Sequence, residues 1–412
     1  MSEPPSLSGA GWLGDSRVRR VFAVLNQDGE EGRAVGGAVR DGLMDQAVTD
    51  VDFATTALPD KVMARAAEAG IKAIPTGIEH GTVTLALGGR GYEVTTLRED
   101  VETDGRHAVV RFGRDWEADA RRRDFTINAL SAEADGTVHD PVGGYADIMA
   151  GRVRFIGDAD TRIAEDRLRL LRFFRFHAER GRGEIDRDGF AAAVRARNGI
   201  RDLAAERINA EFRRLLLARR AAETVRIVQD AGILSVILGG IGYPRRLERV
   251  AAFESAAGLA GAYPRRLAAL AAAISEDAER VAARLRLSNA DSDRMRAAVE
   301  SGARWRVPPV EKAAKAAIYE LGRPSFDDAL ALAAANRPGT AEEWAAPARR
   351  LGDWRVPKFP ISGKDLLANG VLRGPMLGAI LKQLESWWID QDFAPDREAL
   401  LARLQQVQAS QQ

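Results

Sequence analysis

Arg33-Ala-Val-Gly-Gly-Ala-Val-Arg-Asp-Gly-Leu43, followed closely by Thr49-Asp-Val-Asp-Phe53, is the stretch on which the fold of this chain turns. The apolar run ending at Val35 reads as a short strand. Gly36-Gly37 then bends it into a helix, so bare backbone N–H groups can approach an anion, with Arg40 one helical turn inside. The spacing is neither the G-x-G-x-x-G of a dinucleotide fold nor a P-loop. On the glycines alone, a phosphate cradle and a plain tight turn both stand open. In a strand, residues i and i+2 share a face, so the carboxylates of Asp50-Val-Asp52 converge while Val51 and Phe53 point to a core. Such a pair fits a solvated strand end, or it holds divalent cations for phosphoryl or nucleotidyl transfer. Cradle and dicarboxylate together imply Mg²⁺ and a triphosphate.

Downstream, Val83 to Leu87 and Tyr92 to Leu97 are strand-like runs on either side of Gly88-Gly-Arg-Gly91, a hairpin signal. Glu93 lies inside the second run and is either a third carboxylate of the site or an exposed strand position. In Asp119-Ala-Arg-Arg-Arg-Asp-Phe-Thr-Ile-Asn-Ala-Leu130 the charges spread around a predicted helix, with Phe125, Ile127 and Leu130 as its buried flank. Its arginines either reach phosphate or ribose or form a solvated basic face. A single helix is predicted over Ala164 to Phe176. Asp166, Arg169, Arg172 and Arg175 follow one stripe at i, i+3 spacing, and Leu168, Leu171 and Phe174 back it. An acceptor beside a donor suits the Watson–Crick edges of C and A and refuses U and G. The same residues also fit surface salt bridging, Glu165 to Arg169 included.

The chain has 412 residues, enough for two or three domains at about 150 residues each. Sixty Lys and Arg against 59 Asp and Glu leave a net charge of +1, so an acidic partner must meet local basic patches. With zero Cys, disulfides, thiolate zinc and cysteine nucleophiles are excluded. His80, His107, His139 and His177 lie far apart, which leaves no expectation of zinc. No apolar run approaches the roughly 18 residues of a membrane span, and Met1 to Asp15 lacks a signal-peptide pattern, so the expected address is cytoplasmic. Up to about Ile156 the pattern is α+β; from Asp160 it is almost entirely helical. Tyr243-Pro-Arg-Arg-Leu247 recurs as Tyr263-Pro-Arg-Arg-Leu267, each reading as a helix start. Joints are expected near Gly239 to Pro244, Arg306 to Pro309 and Trp354 to Pro360, and frayed ends at Met1 to Ser8 and Gln405 to Gln412. Ser362-Gly-Lys-Asp365 lacks P-loop spacing, and His139-Asp140 lacks the partners of a metal phosphohydrolase.

Taken in order, these residues resemble the class II tRNA nucleotidyltransferase and bacterial poly(A) polymerase family. The matching motifs are Gly36-Gly-Ala-Val-Arg-Asp41 with Asp50-Val-Asp52, Arg122-Arg-Asp-Phe-Thr-Ile-Asn-Ala129, Asp140-Pro-Val-Gly-Gly144, Glu165-Asp-Arg-Leu-Arg169 with Arg172, and Glu206-Arg-Ile-Asn209. The resemblance implies an α+β fold. A polymerase β-like nucleotidyltransferase head with a mixed sheet over 1–157 is followed by a helical neck over 158–240 and a helical body and tail over 241–412. It implies Mg²⁺ on Asp50 and Asp52, with Glu93 as third carboxylate, and the triphosphate at Gly36, Gly37 and Arg40. Arg123 and Asp124 would meet sugar and phosphates. Asp166 and Arg169 would pair with the base, supported by Arg172 and Arg175. Glu99 to Asp115 sits where the family has a mobile loop that helps switch from C to A. The implied activity is addition of CMP, CMP and AMP from CTP and ATP to the tRNA 3′ end, releasing pyrophosphate. A poly(A) polymerase, a CC-only or A-only variant and an idle RNA-binding relative are the alternatives. Paired arginines in the helical half, such as Arg213-Arg214, Arg219-Arg220, Arg245-Arg246 and Arg265-Arg266, are expected to contact RNA phosphates.

Overall fold

The computed structural model describes residues 5–104 and 107–409, with side chains outside 99–110. Contacts divide the chain into two compact units, Met1–Gly239 and Gly240–Gln412.

In the first unit, β1 (Gly32–Val35), β2 (Asp52–Thr55), β3 (Lys72–Gly77), β4 (Thr82–Leu87) and β5 (Arg90–Thr96) carry most of the sheet. β6 (Arg98–Asp104) and β7 (His107–Phe112) pair only with each other. β8 (Ser131–Ala132) and β9 (Val138–His139) complete a seven-stranded sheet of order β3-β4-β5-β2-β1-β8-β9. The sheet is mixed, as expected: β2 and β5 run parallel while the other neighbours are antiparallel. Gly88 and Gly89 alone make the β4–β5 turn, both at positive φ (57° and 76°), the conformation a two-residue hairpin needs; Arg90 and Gly91 already belong to β5.

Alternation along β2 decides what each face does. Phe53, registered with Ala34 and Val94, packs edge-on to Phe22 at 5.0 Å, on the face covered by α1 (Ser16–Leu25). Asp52, registered with Val35, points the other way. α2 (Gly37–Leu43), α3 (Pro59–Glu68), α4 (Trp116–Arg121) and α5 (Gly144–Ala150) complete the α+β part. Leu7 is buried and its N–H bonds the Gly136 carbonyl at 2.8 Å, so the expected fraying does not reach Ser6–Ser8; Met1–Pro4 and 410–412 lie outside the described residues.

The remaining helices of this unit are α6 (Ala159–Glu165), α7 (Leu168–Arg180), α8 (Arg187–Ala196), α9 (Ala205–Leu217), α10 (Ala221–Asp230) and α11 (Ile233–Leu238). Two predicted helices need correction. The one over Asp119 to Leu130 ends at Arg121, and 122–130 continue as a turn and a short 3₁₀ segment, although Phe125, Ile127 and Leu130 are buried as expected. The one over Ala164 to Phe176 is broken at Asp166, whose backbone is extended (φ −147°, ψ 106°). Its Oδ1 accepts from Leu168 N at 3.0 Å and its carbonyl from Arg169 N at 2.9 Å, so Asp166 caps α7 instead of continuing α6.

The second unit is helical throughout its described residues: α12 (Pro244–Ala257), α13 (Tyr263–Ala271), α14 (Ser275–Leu285), α15 (Asn289–Ala303), α16 (Glu311–Leu321), α17 (Arg323–Asn336), α18 (Ala341–Arg350), α19 (Gly363–Ala368), α20 (Pro375–Asp390) and α21 (Arg397–Ala409). Both Tyr-Pro-Arg-Arg-Leu copies open helices, and the three expected joints fall between helices. From Phe326 to Ala335 every residue of α17 is buried, as in a helix surrounded by others. Arg265 is buried too, donating to Asp328 at 2.7 Å and Glu254 at 3.0 Å, while Arg266 reaches Glu254 at 2.8 Å. The expectation that Arg265 meets RNA is therefore overturned: its guanidinium is spent on an internal network, which half-buried Arg266 joins through Nε. Ser362 and Asp365 form the capping box of α19.

Candidate active site

The bend that opened the sequence reading lies at the rim of a cavity of about 700 Å³ inside the first unit. β1 ends at Val35, Gly36 turns at φ +64°, and α2 begins at Gly37. A side chain at Gly36 would be strained at that φ. Space does not forbid one, since the nearest atom, Arg123 Nη1, lies 3.7 Å from the place a Cβ would take; the positive φ is what calls for glycine. Gly36 and Gly37 therefore offer the cavity only backbone, and the first amides of α2 have no intrahelical acceptor.

Asp50 and Asp52 both line the cavity and both side chains are exposed to it. Asp52 begins β2, whereas Asp50 lies just before the strand, and Thr49 Oγ1 donates to Asp50 Oδ2 at 3.1 Å. Glu93 extends the parallel Phe53–Val94 register by one residue, which sets it beside Asp52 on the same face. It is not among the residues lining the cavity. Asp52 opens onto solvent, yet protein on its other sides strips hydration. That desolvation, then the charges of Glu93 and Asp50, push its carboxyl above the usual range, and Arg123 partly offsets them. Among the described residues no three acidic or histidine side chains close into a metal cage. Asp50 and Asp52, with Glu93 alongside, are instead an open set of oxygen donors. That set fits a hard divalent cation completing its shell with substrate phosphates and water.

Opposite the carboxylates stands a wall of arginines. Buried Asp119 holds two of them: Arg122 donates to Oδ1 at 2.8 Å through Nε and 2.6 Å through Nη2, and Arg123 to Oδ2 at 3.1 Å. Asp124 is buried and occupied by the Phe125 amide (2.9 Å), Asn128 (3.1 Å) and Arg172 (2.6 Å). Arg40, also buried, donates to Asn128 at 2.6 Å and to Asp41 at 2.8 Å, and burial lowers its pKa despite that carboxylate. All of these residues border the cavity except Asp119 and Phe125.

Asp166, Arg169, Arg172 and Arg175 line it as well, but they are not one exposed stripe. Asp166 Oδ2 accepts from Arg207 at 2.9 Å, and Arg169 pairs with Glu165, so the expected Asp166–Arg169 couple meets other partners in this structure. Arg175 is 1% exposed, pinned by Glu211 (2.5 Å) and Glu179 (2.8 Å) and stacked 3.8 Å from the Phe176 ring. It braces the wall from behind.

Sequence reasoning gave no role in the cleft to Arg207, Glu211, Arg214, Asn128, Asp119 or Arg180, naming Arg214 only as an expected RNA-phosphate contact. The first three recur at i, i+4, i+7 along α9, a spacing that marks one helical face. Arg180 closes α7 by donating to Asp41 at 2.9 Å and to Gln46. His139 ends β9 and Asp140 leads into the turn that follows, accepting from the Gly144 and Tyr145 amides at 2.7 and 2.9 Å.

Residues 32–154 match the family described as Poly A polymerase head domain. Among curated proteins, the mitochondrial CCA tRNA nucleotidyltransferase 1 of Mus musculus is 32% identical over 95% of this chain and 90% of its own. The CCA-adding enzyme of Leuconostoc citreum is 33% identical over 93% and 94%. Among solved structures, the Bacillus stearothermophilus CCA-adding enzyme in complex with CTP has a TM-score of 0.75 at 27% identity, covering 96% of this chain and 97% of that one. The Thermotoga maritima CCA-adding enzyme complexed with tRNA is alike in fold, with a TM-score of 0.70 at 19% identity and all of both chains covered.

Proposed function

Because the chain belongs to the class II family of tRNA nucleotidyltransferases and poly(A) polymerases, we propose that its cleft builds the CCA end of tRNA from CTP and ATP. It is a template-independent RNA nucleotidyltransferase whose partners are tRNA, CTP and ATP. The observation that carries the reading is the meeting, in one cavity, of the Gly36-Gly37 bend, Asp50, Asp52, Asp166 and Arg169.

In this reading Gly36, Gly37 and Arg123 receive the triphosphate, and Arg40 and Asn128 stiffen the bend from beneath. Asp50 and Asp52, with Glu93 beside them, hold Mg²⁺. When bound, that cation lowers the pKa of the primer 3′ hydroxyl and neutralises the departing pyrophosphate. The chain's own contribution is orientation: the 3′ oxygen is held in line with the α-phosphorus while the β-phosphate oxygen leaves. Asp166 accepts from the exocyclic amine of C or A and Arg169 donates to the ring nitrogen beside it, once Arg207 and Glu165 share them with the base. Arg172 keeps Asp124 in place below, and Arg175 supports the wall. Residues 1–157 form the catalytic head, 158–240 the base-reading neck and 241–412 the tRNA-binding body and tail. Among the described residues no helix is long and apolar enough to cross a membrane. A cytoplasmic address is part of the proposal, and the cysteine-free composition fits a reducing compartment.

The test incubates the protein with tRNA lacking its terminus, Mg²⁺ and each labelled nucleotide singly. CTP alone adds two residues, and ATP adds one residue after CC. Equal incorporation of UTP, or no incorporation of CTP, refutes the reading, and a long tail from ATP alone makes the chain a poly(A) polymerase.

A further inference from the structure

A second cavity, of about 550 Å³, adjoins the cleft and shares Arg180 with it. Its walls are the end of α7, the turn after it, the α9–α10 junction and the segment that follows α2. Arg180, Arg182, Arg219 and Arg220 line it against two carboxylates, Glu179 and Glu223. Both carboxylates are already engaged. Glu179 accepts from Arg175 at 2.8 Å and from Arg214 at 3.1 Å, and Glu223 accepts from Arg220 Nε at 2.9 Å.

Arg182 and Arg219 are exposed and, among the described residues, have no carboxylate within ion-pair distance. Arg219 gives only a 3.3 Å hydrogen bond to the Gly181 carbonyl. Nε of Arg180 and Nη1 of Arg220 are buried donors without an acceptor among the described residues. A concavity with surplus guanidinium charge and unspent donors is matched to a phosphate group, whose oxygens accept several such bonds at once.

Position selects the source of that phosphate. The segment containing Gln46 in this pocket runs through Val48 and Thr49 to Asp50, all three of which line the cleft. A strand whose 3′ end lies at Asp50 and Asp52 can pass over Arg180 into the pocket without leaving an arginine-lined surface. The nucleotide's triphosphate is meanwhile accounted for at the glycine bend. We propose that this pocket is a phosphate site for the primer RNA, holding a phosphodiester upstream of the reacting 3′ hydroxyl. The assignment rests on the nucleotidyltransferase reading of the cleft.

The experiment compares the whole wild-type chain with the Arg182→Ala/Arg219→Ala double variant in CMP addition, varying tRNA and CTP separately. The KM for tRNA is expected to rise about tenfold, the product of two exposed charge interactions, while the KM for CTP stays put. The slope of log tRNA affinity against log salt is expected to shrink by about 0.7 for each phosphate no longer neutralised. An Arg182→Lys/Arg219→Lys variant retains the charge and most of the slope, which separates the effect of charge from damage to the fold. Unchanged tRNA KM and salt slope overturn the inference. So does a raised KM for CTP with tRNA KM unchanged, which would give the pocket to free nucleotide or pyrophosphate. A wild-type protein that never incorporates CTP fails the reading of the cleft itself, an outcome distinct from these.

Discussion

Asp52 is a carboxylate held where its charge is unwelcome, between Asp50 and Glu93, with a pKa above the ordinary value. Between that ordinary value and the raised one the native state binds more protons than the unfolded chain. Stability therefore falls as pH rises through that window, and the deficit persists at neutral pH. Asp52→Asn should accordingly keep or raise the melting temperature and leave tRNA binding intact, while cutting CMP addition by more than about a hundredfold. A variant that melts lower yet still turns over contradicts the assignment. Arg169→Ala tests the base reader: discrimination against UTP should drop by roughly ten- to a hundredfold, the worth of one bidentate base contact. Single-nucleotide incorporation ratios measure it, and an unchanged C-to-U ratio removes Arg169 from the reader. At this scale the cleft was largely legible, because Gly36, Asp50, Asp52 and Arg169 are identifiable from local spacing. Their partners were not. Arg207 is 41 residues from Asp166 and Asn128 is 88 from Arg40, and no periodicity links residues so far apart.

Among the elements, α7 carries the most. One face of it lines the cleft from Leu168 to Arg180, its flank is the aromatic packing of Phe173, Phe174 and Phe176, and inside it lies His177, 1% exposed beside Arg220 and Glu223. Burial, then the Arg220 charge, push this imidazole down to about 4 from an ordinary 6.5. The unfolded chain takes up the proton first, so stability is lost as pH falls from 6.5 toward 4, by up to about 3 kcal/mol. Urea unfolding at about pH 7 and about pH 5 should show about 2 kcal/mol of that loss in the wild type and much less of it in His177→Gln; an equal loss in both would count against it. The hairpin and the β1–α2 turn were readable because glycine at positive φ leaves a local signature. The break between α6 and α7 was not, since Asp166 interrupts an unbroken helical pattern only by turning its own side chain onto the Leu168 amide. The same limit hid the end of α4, where three arginines suit a helix and the buried Asp124–Arg172 pair draws the chain out of one.

Across the molecule, each unit has its own buried core. Aromatic rings and the mixed sheet serve the first; α17 and the cluster around Leu366, Trp388 and Leu404 serve the second. Calorimetry should resolve two transitions, and the fragment 1–239 should fold alone and bind CTP while losing most tRNA affinity. A single transition with an unfolded fragment would contradict this. The joint at Gly239–Gly240 was visible in the sequence as a glycine cluster, but the fate of the second Tyr-Pro-Arg-Arg-Leu copy was not. Its arginines face Glu254 and Asp328, and Asp328 is contributed by a helix 63 residues away. The Arg207–Asp166 and Arg169–Glu165 pairs, partly open to water, carry one more implication. In the proposed reading an enzyme without a template stores its spelling rules in those ionic contacts, and electrolyte should then blur what is written as well as loosen what is held. UMP errors should climb with potassium chloride even when tRNA saturates the protein.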